Sequence, residues 1–359
     1  MPENKKILFE KILNAAVERN ASDIHLIADE PPTLRIEGKL NKLNTKEINS
    51  SEMNDFIKGF MPESKQVIFS EQGNIDFSFQ LENTRYRGNA ARDQHGTYVT
   101  LRLIPSKIRD IREIGFPNEN VWQDIVSLQS GLVLVTGVTG SGKSTTLSSI
   151  IEEINKTRGG RIITIEDPIE QVYKAKNQSL ISQREIGTDL KSFSDGVKYA
   201  LRQDPDIILI GEIRDYETAE KTLEAAMTGH LVFSTLHTRD CSETVSRYVS
   251  LFEEAEQDKI KNILASTLNY TISQQLIPYQ KGVGRTVAME ILNNRPASVK
   301  NSIRKGEYHK IISEIQTGRK YGMNTMDNHL EILYIDGKID KNTALQYAHD
   351  RPSLESKLG

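Results

Sequence analysis

A glycine-rich stretch ending in lysine and serine is the part of the sequence best suited to chemistry. Residues 132–147 read LVLVTGVTGSGKSTTL, in which Gly137 to Ser144 fit the pattern G-x-x-x-x-G-K-[ST]. Glycines let backbone N–H groups turn toward phosphates, and the helix that follows adds its positive end. The pattern therefore predicts a nucleotide-phosphate site between a buried strand and a helix. Its glycine spacing excludes the dinucleotide pattern G-x-G-x-x-G.

The residues of this loop are expected to have distinct roles. Lys143 should reach the β- and γ-phosphates of a nucleotide, and Ser144 should ligate Mg²⁺. A glycine-rich turn without a ligand is the alternative, but the apolar strand before the loop and the Lys-Ser-Thr start of a helix argue against it. The other positions expected to surround the phosphates are Gly137, Val138, Thr139, Gly140, Ser141 and Gly142.

Further apolar strands are predicted to carry polar residues at their carboxyl ends, namely Glu166 with Asp167, then Glu212, and then His237. Apolar strands separated by helical stretches indicate a parallel sheet covered on both faces, in which ligands bind beyond the carboxyl ends. We expect Glu212 to be the acid that supports the metal or orients the water, and Glu166 is a second candidate for polarising water. Each could instead be a structural carboxylate that caps a loop or a helix. These strands are predicted at residues 161–167, 207–210 and 230–237.

Histidines lie at both ends of the third of these strands, at His230 and His237. The absence of an accompanying cysteine cluster and the strand between the two histidines argue against a zinc site. His237 could sense the γ-phosphate or bond to a neighbouring acid. The spacing alone is equally compatible with two structural histidines.

Composition narrows the class of protein. A chain of 359 residues suggests about two domains, and its net charge of −3 gives no basic surface for nucleic acid. The single Cys241 permits no internal disulfide and fits a reducing cytoplasm. Since no apolar run is long enough to cross a bilayer, membrane association is expected through a protein partner or the surface.

The N-terminal part is predicted to be a small α+β domain that ends near Ile104. A period of two in its strands places Arg85 and Arg87 on one face, and Arg102 opposite its apolar neighbours. Rigid strands could aim these arginines at a ligand, although a solvated sheet face explains them as well. The segment from Pro105 to Pro117 has the composition of an interdomain hinge.

The C-terminal part is predicted to be mainly helical. Apolar residues at 260, 263, 264, 268 and 272 indicate one long amphipathic helix, followed by a strand at 284–289. Helical patterns return at 297–317, 326–335 and 341–348. The polar end of the chain, SLESKLG, is expected to be frayed.

Four motifs in this order identify a family: GVTGSGKSTT, ITIEDPIE, LRQDPDIILIGEIRD and TGHLVFSTLHT. With ASDIHL near the start and IQTGRKYGMNTMD near the end, the chain resembles the ATPase superfamily of type II secretion and type IV pili. Its short N-terminal domain and the absence of a four-cysteine zinc insert make it similar to PilT-type retraction ATPases of twitching motility.

This resemblance implies a PAS-like α+β domain at 1–104, a linker at 105–118, a RecA-like P-loop ATPase core at 119–290 and a helical C-terminal region at 291–359. It implies a homo-hexamer that hydrolyses ATP with Mg²⁺ between subunits. The partners implied are an inner-membrane pilus platform protein and a paralogous pilus ATPase, at the cytoplasmic face of the pilus base, with no nucleic acid.

The resemblance also implies roles for residues that match family motifs. Lys143, Ser144 and Thr145 would bind phosphate and Mg²⁺, and Glu212 would be the Walker B acid that supports the metal. The remaining matches are the acidic box, the histidine box and the arginines that reach the nucleotide: Glu166, Asp167, His230, His237, Arg85, Arg87 and Arg102.

Two departures leave the subclass open. His95 stands where PilT-type proteins often carry an arginine, and the segment SVKNSIRKGE at 298–307 replaces the signature AIRNLIRE, a change that resembles PilU-type accessory ATPases. A pilus assembly or type II secretion ATPase is the alternative within the superfamily. A RecA-like nucleic-acid translocase and a non-catalytic, nucleotide-gated scaffold are alternatives from other classes.

Overall fold

The computed structural model describes residues 3–82, 84–94, 96–104, 107–282 and 284–359. His95 and the first two residues of the predicted linker, Pro105 and Ser106, lie outside this range. The chain divides into two compact units. The first comprises the chain up to Lys107 together with residues 167–172 and 185–191, and the second comprises residues 108–166, 173–184 and 192–359.

The first unit is built around one antiparallel sheet with strand order β3-β2-β1-β6-β5-β4. Its helices in the described part of the chain are α1 (Glu3–Glu18), α2 (Ser50–Phe60) and α3 (Glu63–Gln72). Its strands there are β1 (Asp23–Ile27), β2 (Thr33–Ile36), β3 (Lys39–Lys42), β4 (Asn74–Leu81), β5 (Thr84–Asp93) and β6 (Gly96–Ile104).

Aromatic side chains fill the core between this sheet and its helices. Phe9 of α1 meets Phe56 of α2 edge to face, and Phe79 stacks on Tyr86 across β4 and β5. The buried face of β5 includes Gly88, where a Cβ atom would come within 2.6 Å of the Phe77 ring. The alternate residues of β5 therefore project from the opposite face of the sheet.

The second unit contains a seven-stranded sheet, in the order β13-β12-β7-β11-β10-β8-β9. Its strands are β7 (Gly131–Thr136), β8 (Gly160–Glu166), β9 (Ser179–Glu185), β10 (Ile207–Ile210), β11 (Leu231–Leu236), β12 (Leu268–Pro278) and β13 (Arg285–Asn293). The last residue of β9, Glu185, belongs to the first unit. Strands β12, β7, β11, β10 and β8 run parallel, and β13 is antiparallel to β12.

Every residue of β7, β10 and β11 is buried. Burial on both faces explains why these strands read as continuous apolar runs, and the predicted α/β fold class is confirmed. The helices of this unit are α4 (Glu119–Ser127), α5 (Lys143–Thr157), α6 (Phe193–Ala200), α7 (Tyr216–Met227), α8 (Cys241–Ser250), α9 (Glu254–Thr267), α10 (Ala297–Lys305), α11 (Ile311–Thr317), α12 (Met326–Ile335), α13 (Lys341–Tyr347) and α14 (Arg351–Leu358).

Two predictions about the C-terminal half are wrong. The helix expected to reach Ile272 ends at Thr267, because residues from Leu268 onward pair with β7 and β13 as strand β12. The end of the chain is helical: Leu354 is fully buried, and Asp350 caps α14 by accepting a hydrogen bond from the Ser353 N–H.

Among the described residues, no helix has the length and apolar character needed to cross a membrane.

Candidate active site

The glycine-rich loop connects the fully buried strand β7 to the start of α5. Gly137, Gly140 and Gly142 adopt φ values of 142°, 77° and 90°, a region that side chains disfavour. A Cβ atom at Gly137 would lie 2.4 Å from the Gln274 carbonyl oxygen and 2.5 Å from Ser141 Oγ. The predicted phosphate loop therefore requires glycine for its backbone conformation and, at Gly137, for close packing.

Lys143 is the first residue of α5, and its side chain turns back over the loop. Its Nζ atom donates to the carbonyl oxygens of Gly137 at 2.9 Å and Val138 at 3.2 Å. Ser144 and Thr145 are exposed in the same first turn, at the positive end of the helix. An ammonium group, a hydroxyl group and the N–H groups of the first helical turn thus converge where phosphates are expected to bind.

Gln274 of β12 supports the loop and was not predicted as a site residue. Its side chain is 1% exposed, and its Nε2 donates to the Ser141 carbonyl oxygen at 2.7 Å. The Gln274 Oε1 and Ser141 Oγ atoms are buried, and no residue in the described part of the chain forms a hydrogen bond with either atom. The sequence signal for this residue was its polarity within a strand that is otherwise mostly apolar on its buried face.

Glu212 and His237 lie beyond the carboxyl ends of the neighbouring parallel strands β10 and β11. His237 Nε2 is 3.6 Å from Glu212 Oε2, and Arg214 forms an ion pair with the other carboxylate oxygen. The Glu212 side chain is 15% exposed. The structure thus brings the predicted acid and histidine together, with a cation that the sequence analysis did not assign.

The surroundings of His237 favour the neutral form of its imidazole. Partial burial lowers the pKa of His237, the charges of Lys143 and Arg214 act in the same direction, and Glu212 opposes them. A neutral imidazole has one donor and one acceptor nitrogen. The single N–H of a neutral His237 can therefore be donated either to the Glu212 carboxylate or to a phosphate oxygen, but not to both at once.

Glu166 ends β8 at the same edge of the sheet. Its Oε1 accepts hydrogen bonds from Thr164 Oγ1 at 2.6 Å and from Gln183 Nε2 at 3.1 Å. Gln183 was missed in the sequence because β9 has no clear apolar alternation. Asp167, the next residue after Glu166, is exposed and belongs to the first unit.

His230 is not brought to the phosphate loop of its own chain. It precedes the amino end of β11, whereas the loop follows the carboxyl end of the parallel strand β7. Its Nδ1 is 3.0 Å from both the Ala225 carbonyl oxygen and Thr228 Oγ1. The nucleotide contact predicted for His230 therefore has no support in this geometry, which indicates a role in holding the turn after α7.

In the first unit, Arg87 and Arg102 project from the sheet face opposite the core. They occupy directly opposite positions in the neighbouring strands β5 and β6. Arg102 Nε donates to Asp23 Oδ1 at 2.9 Å, and Arg87 Nη1 is 3.7 Å from Glu170 Oε1. Their side chains are 68% and 40% exposed. Both guanidinium groups therefore remain accessible to an anionic ligand.

Arg85 lies on the same face but is engaged in a buried ion pair. Its Nη2 is 2.7 Å from Glu185 Oε2, and its Nε donates to the Ile169 carbonyl oxygen at 2.9 Å. Only 17% of its side chain is exposed. These contacts do not support the predicted contact between Arg85 and a nucleotide. They indicate a structural or positioning role.

A phosphate loop and two carboxylates at one edge of a parallel sheet place the second unit in the class of P-loop nucleotide-binding domains. The comparison with known families gives the particular group. A model of the type II/IV secretion system protein family matches residues 3–331, and the chain belongs to that family. The family predicted from the four motifs is therefore confirmed.

The chain is similar over nearly its whole length to pilus ATPases of Pseudomonas aeruginosa. It is 40% identical to the type IV pilus retraction ATPase PilT over 339 residues, which cover 94% of this chain and 97% of PilT. It is 33% identical to the type IV pilus ATPase PilU over 354 residues, covering 98% and 92% of the two chains. A crystal structure of the pilus retraction motor PilT with bound ADP superposes with a TM-score of 0.88 at 39% identity, covering 96% of this chain and 98% of that one.

Proposed function

We propose that this protein is an ATP-hydrolysing motor that drives retraction of type IV pili in twitching motility. The observation that carries the proposal is the convergence of the phosphate loop, Glu212, His237 and Glu166 at one edge of the second unit's sheet. The full-length similarity to PilT supports it from outside the site.

Phosphate binding would begin with an exchange of hydrogen bonds by Lys143. Its ammonium group now donates to two loop carbonyl oxygens, and it would donate to the β- and γ-phosphates when ATP is bound. Ser141 Oγ and Gln274 Oε1 lie buried at the same loop without a hydrogen-bond partner among the described residues. These two atoms would be available for new hydrogen bonds if the loop reorganises around a nucleotide.

The oxygen donors of this site fit Mg²⁺, which prefers hydroxyl, carboxylate, water and phosphate oxygens. Ser144 and Glu212 would hold the ion, directly or through water. Among the described residues, no cluster of three or more histidine, cysteine or acidic side chains could hold a metal by itself. A Mg²⁺ ion held jointly with the nucleotide would neutralise phosphate charge.

The carboxylates and the imidazole would divide the remaining tasks. Glu166, oriented by Thr164 and Gln183, would align and polarise the attacking water, while Glu212 would support the metal or accept a proton. Neutral His237 would sense the γ-phosphate and transmit its loss to Glu212. Asp167 would complete the acidic pair that follows β8.

Positive charge on the migrating phosphoryl group would come from Arg87 and Arg102. We propose that they reach a nucleotide when domains or subunits of a homo-hexamer close over it. The motor would act from the cytoplasm on an inner-membrane platform protein at the pilus base, in company with a paralogous pilus ATPase. The partial exposure of both guanidinium groups supports this role.

Gene deletion, complemented with wild-type protein or a Lys143→Ala variant, tests this function. Loss of retraction predicts excess surface pili and no twitching, with restoration by the wild type only. A count of surface pili that falls to zero would instead indicate an assembly ATPase. Steady-state phosphate release by the purified protein separates a motor from a non-catalytic scaffold.

A further inference from the structure

A buried carboxylate in the first unit binds segments that are far apart in the sequence. The Glu185 side chain is 6% exposed, and its Oε2 accepts hydrogen bonds from Ser78 Oγ at 2.8 Å, Arg85 Nη2 at 2.7 Å and the Ile169 N–H at 3.2 Å. Its Oε1 accepts from Thr188 Oγ1 at 3.3 Å. One acid therefore joins β4, β5 and both returning segments.

Arg85, the cation of this ion pair, forms hydrogen bonds to the same segments as Glu185. It bonds to Glu185, to Ser78 Oγ at 2.8 Å and to the carbonyl oxygen of Ile169, so both backbone polar groups of Ile169 are held by the ion pair. A buried charge left without its partner is costly, which makes the pair specific for this arrangement. The ion pair thus fixes residues 167–172 and 185–191 to the N-terminal sheet.

The strand that ends in Glu185 also holds the predicted water-polarising acid. Two residues before Glu185 on the same face of β9, Gln183 donates from Nε2 to Glu166 and accepts the Tyr173 N–H at Oε1. The chain continues from Glu166 directly into the fixed segment at Asp167. Glu166 is therefore connected to the ion pair twice, through its hydrogen-bond partner and through its own backbone.

We infer that Glu185 and Arg85 are positioning residues that couple the N-terminal sheet to the orientation of the Glu166 carboxylate. The inference rests on the proposed ATP hydrolysis. A shift of the sheet is carried by the ion pair into residues 167–172 and 185–191, and from there into Gln183 and Glu166. The rate of ATP hydrolysis then changes when the N-terminal sheet moves, although neither Glu185 nor Arg85 contacts the nucleotide.

Glu185→Gln tests the coupling, because glutamine keeps the size of the side chain but removes the charge that holds Arg85. We expect kcat for ATP to fall about 10- to 100-fold, as for other residues that orient a catalytic group, with the dissociation constant for ADP unchanged. The matched control is Glu30→Gln, which removes the exposed ion pair with Lys42 in the same unit and should leave kcat at the wild-type value.

A double-variant comparison tests whether the coupling runs through Gln183. Gln183→Met removes the amide that holds Glu166, so it should lower kcat to a similar extent. If both residues act in one series, the double variant Glu185→Gln/Gln183→Met loses no more than the worse single variant. Losses that multiply, or a wild-type kcat in Glu185→Gln, overturn the inference.

Two further measurements keep the test independent of folding and of the proposed function. Arg85→Lys retains a positive charge and should give an intermediate kcat; a wild-type value contradicts the coupling. Amide hydrogen exchange at residues 167–172 and at Gln183 should be faster in Glu185→Gln than in the wild type. Unchanged exchange overturns the inference, whereas a wild-type protein without ATP hydrolysis refutes the proposed function.

Discussion

Among the site residues, Glu212 is the one whose loss of charge is expected to lower the rate of ATP hydrolysis most directly. Glu212→Gln keeps the shape of the side chain and its ability to bond to His237, but removes the negative charge. We expect ATP binding to persist while hydrolysis falls by about 10²- to 10⁴-fold. Phosphate release measured beside equilibrium binding of a fluorescent nucleotide checks both parts. Glu217→Gln on the exposed face of α7 is the control, and near-normal turnover in Glu212→Gln would exclude Glu212 as the catalytic acid.

Gln274 gives a second prediction at this scale. Gln274→Met preserves the volume of the side chain but leaves the buried Ser141 carbonyl oxygen without its donor. Loss of one such hydrogen bond, about 1 kcal/mol, should weaken ADP binding roughly fivefold. Isothermal titration calorimetry measures the change. Gln275→Met, on the opposite face of β12, should bind ADP as the wild type does, and equal affinities for all three proteins would remove Gln274 from the site.

The sequence predicted those site residues that occupy a fixed place in a motif. Lys143, Glu166 and Glu212 follow strands whose apolar composition made their position recognisable. Gln274 and Glu185 escaped prediction because their partners are distant: Gln274 bonds to a loop 133 residues earlier, and Glu185 bonds to Ser78 across 107 residues. Such pairings are decided by tertiary packing rather than by local pattern.

Among the secondary-structure elements, α12 carries a buried histidine that links stability to pH. His329 Nδ1 accepts the Met289 N–H of β13 at 2.9 Å, and burial lowers the pKa of His329 to about 4. In the unfolded chain a histidine titrates near 6.5, so below that pH the unfolded state binds the proton more readily. The free energy of unfolding should therefore fall as pH decreases from about 6.5 toward 4, by at most about 1.4 kcal/mol per pH unit.

Chemical denaturation at pH 7 and pH 5 tests this link. His329→Gln should reduce the pH dependence of the free energy of unfolding, because glutamine does not titrate. The exposed His309→Gln is the control and should retain the dependence of the wild type. A His329→Gln variant with the same pH dependence as the wild type would show that the group responsible lies elsewhere.

Elements with a strong period were predicted well, and the misses have identifiable causes. The apolar strands β7, β10 and β11 lie close to their expected positions. The junction of α9 and β12 was missed because apolar residues at 264, 268 and 272 fit a helix, while pairing with β7 and β13 makes residues after Thr267 extended. Tertiary contacts outweighed the local pattern there.

For the whole molecule, we predict that nucleotide changes the distance between the two units, with the segment from Pro105 to Pro117 as the hinge. Engineered cysteines at Asn41 in β3 and Glu355 in α14 can carry spin labels, since both positions are exposed and Cys241 is fully buried. Pulsed electron paramagnetic resonance, on labelled chains diluted with unlabelled ones, should give different distances with ATP and without it.

A pair of labels within one unit provides the control for this experiment. Asn41 and Ser64 both lie in the first unit and are exposed, so their separation should not respond to nucleotide. Identical distances for the inter-unit pair with and without nucleotide would refute the hinge.

The domain ranges expected from the sequence are contiguous, and they stay a prediction. Such ranges could not include residues 167–172 and 185–191 in the first unit, because only the folded chain brings them there.

The outer strand of the N-terminal sheet has a consequence for how the protein behaves at high concentration. All four residues of β3, the sequence KLNK, are exposed, and within the described ranges the strand pairs with a neighbour on one side only. An open strand edge invites other chains to add to it, and lysine side chains along the edge oppose such addition. Lys39 and Lys42 therefore favour solubility, so that crowded copies remain dispersed and avoid stacking edge to edge into fibres.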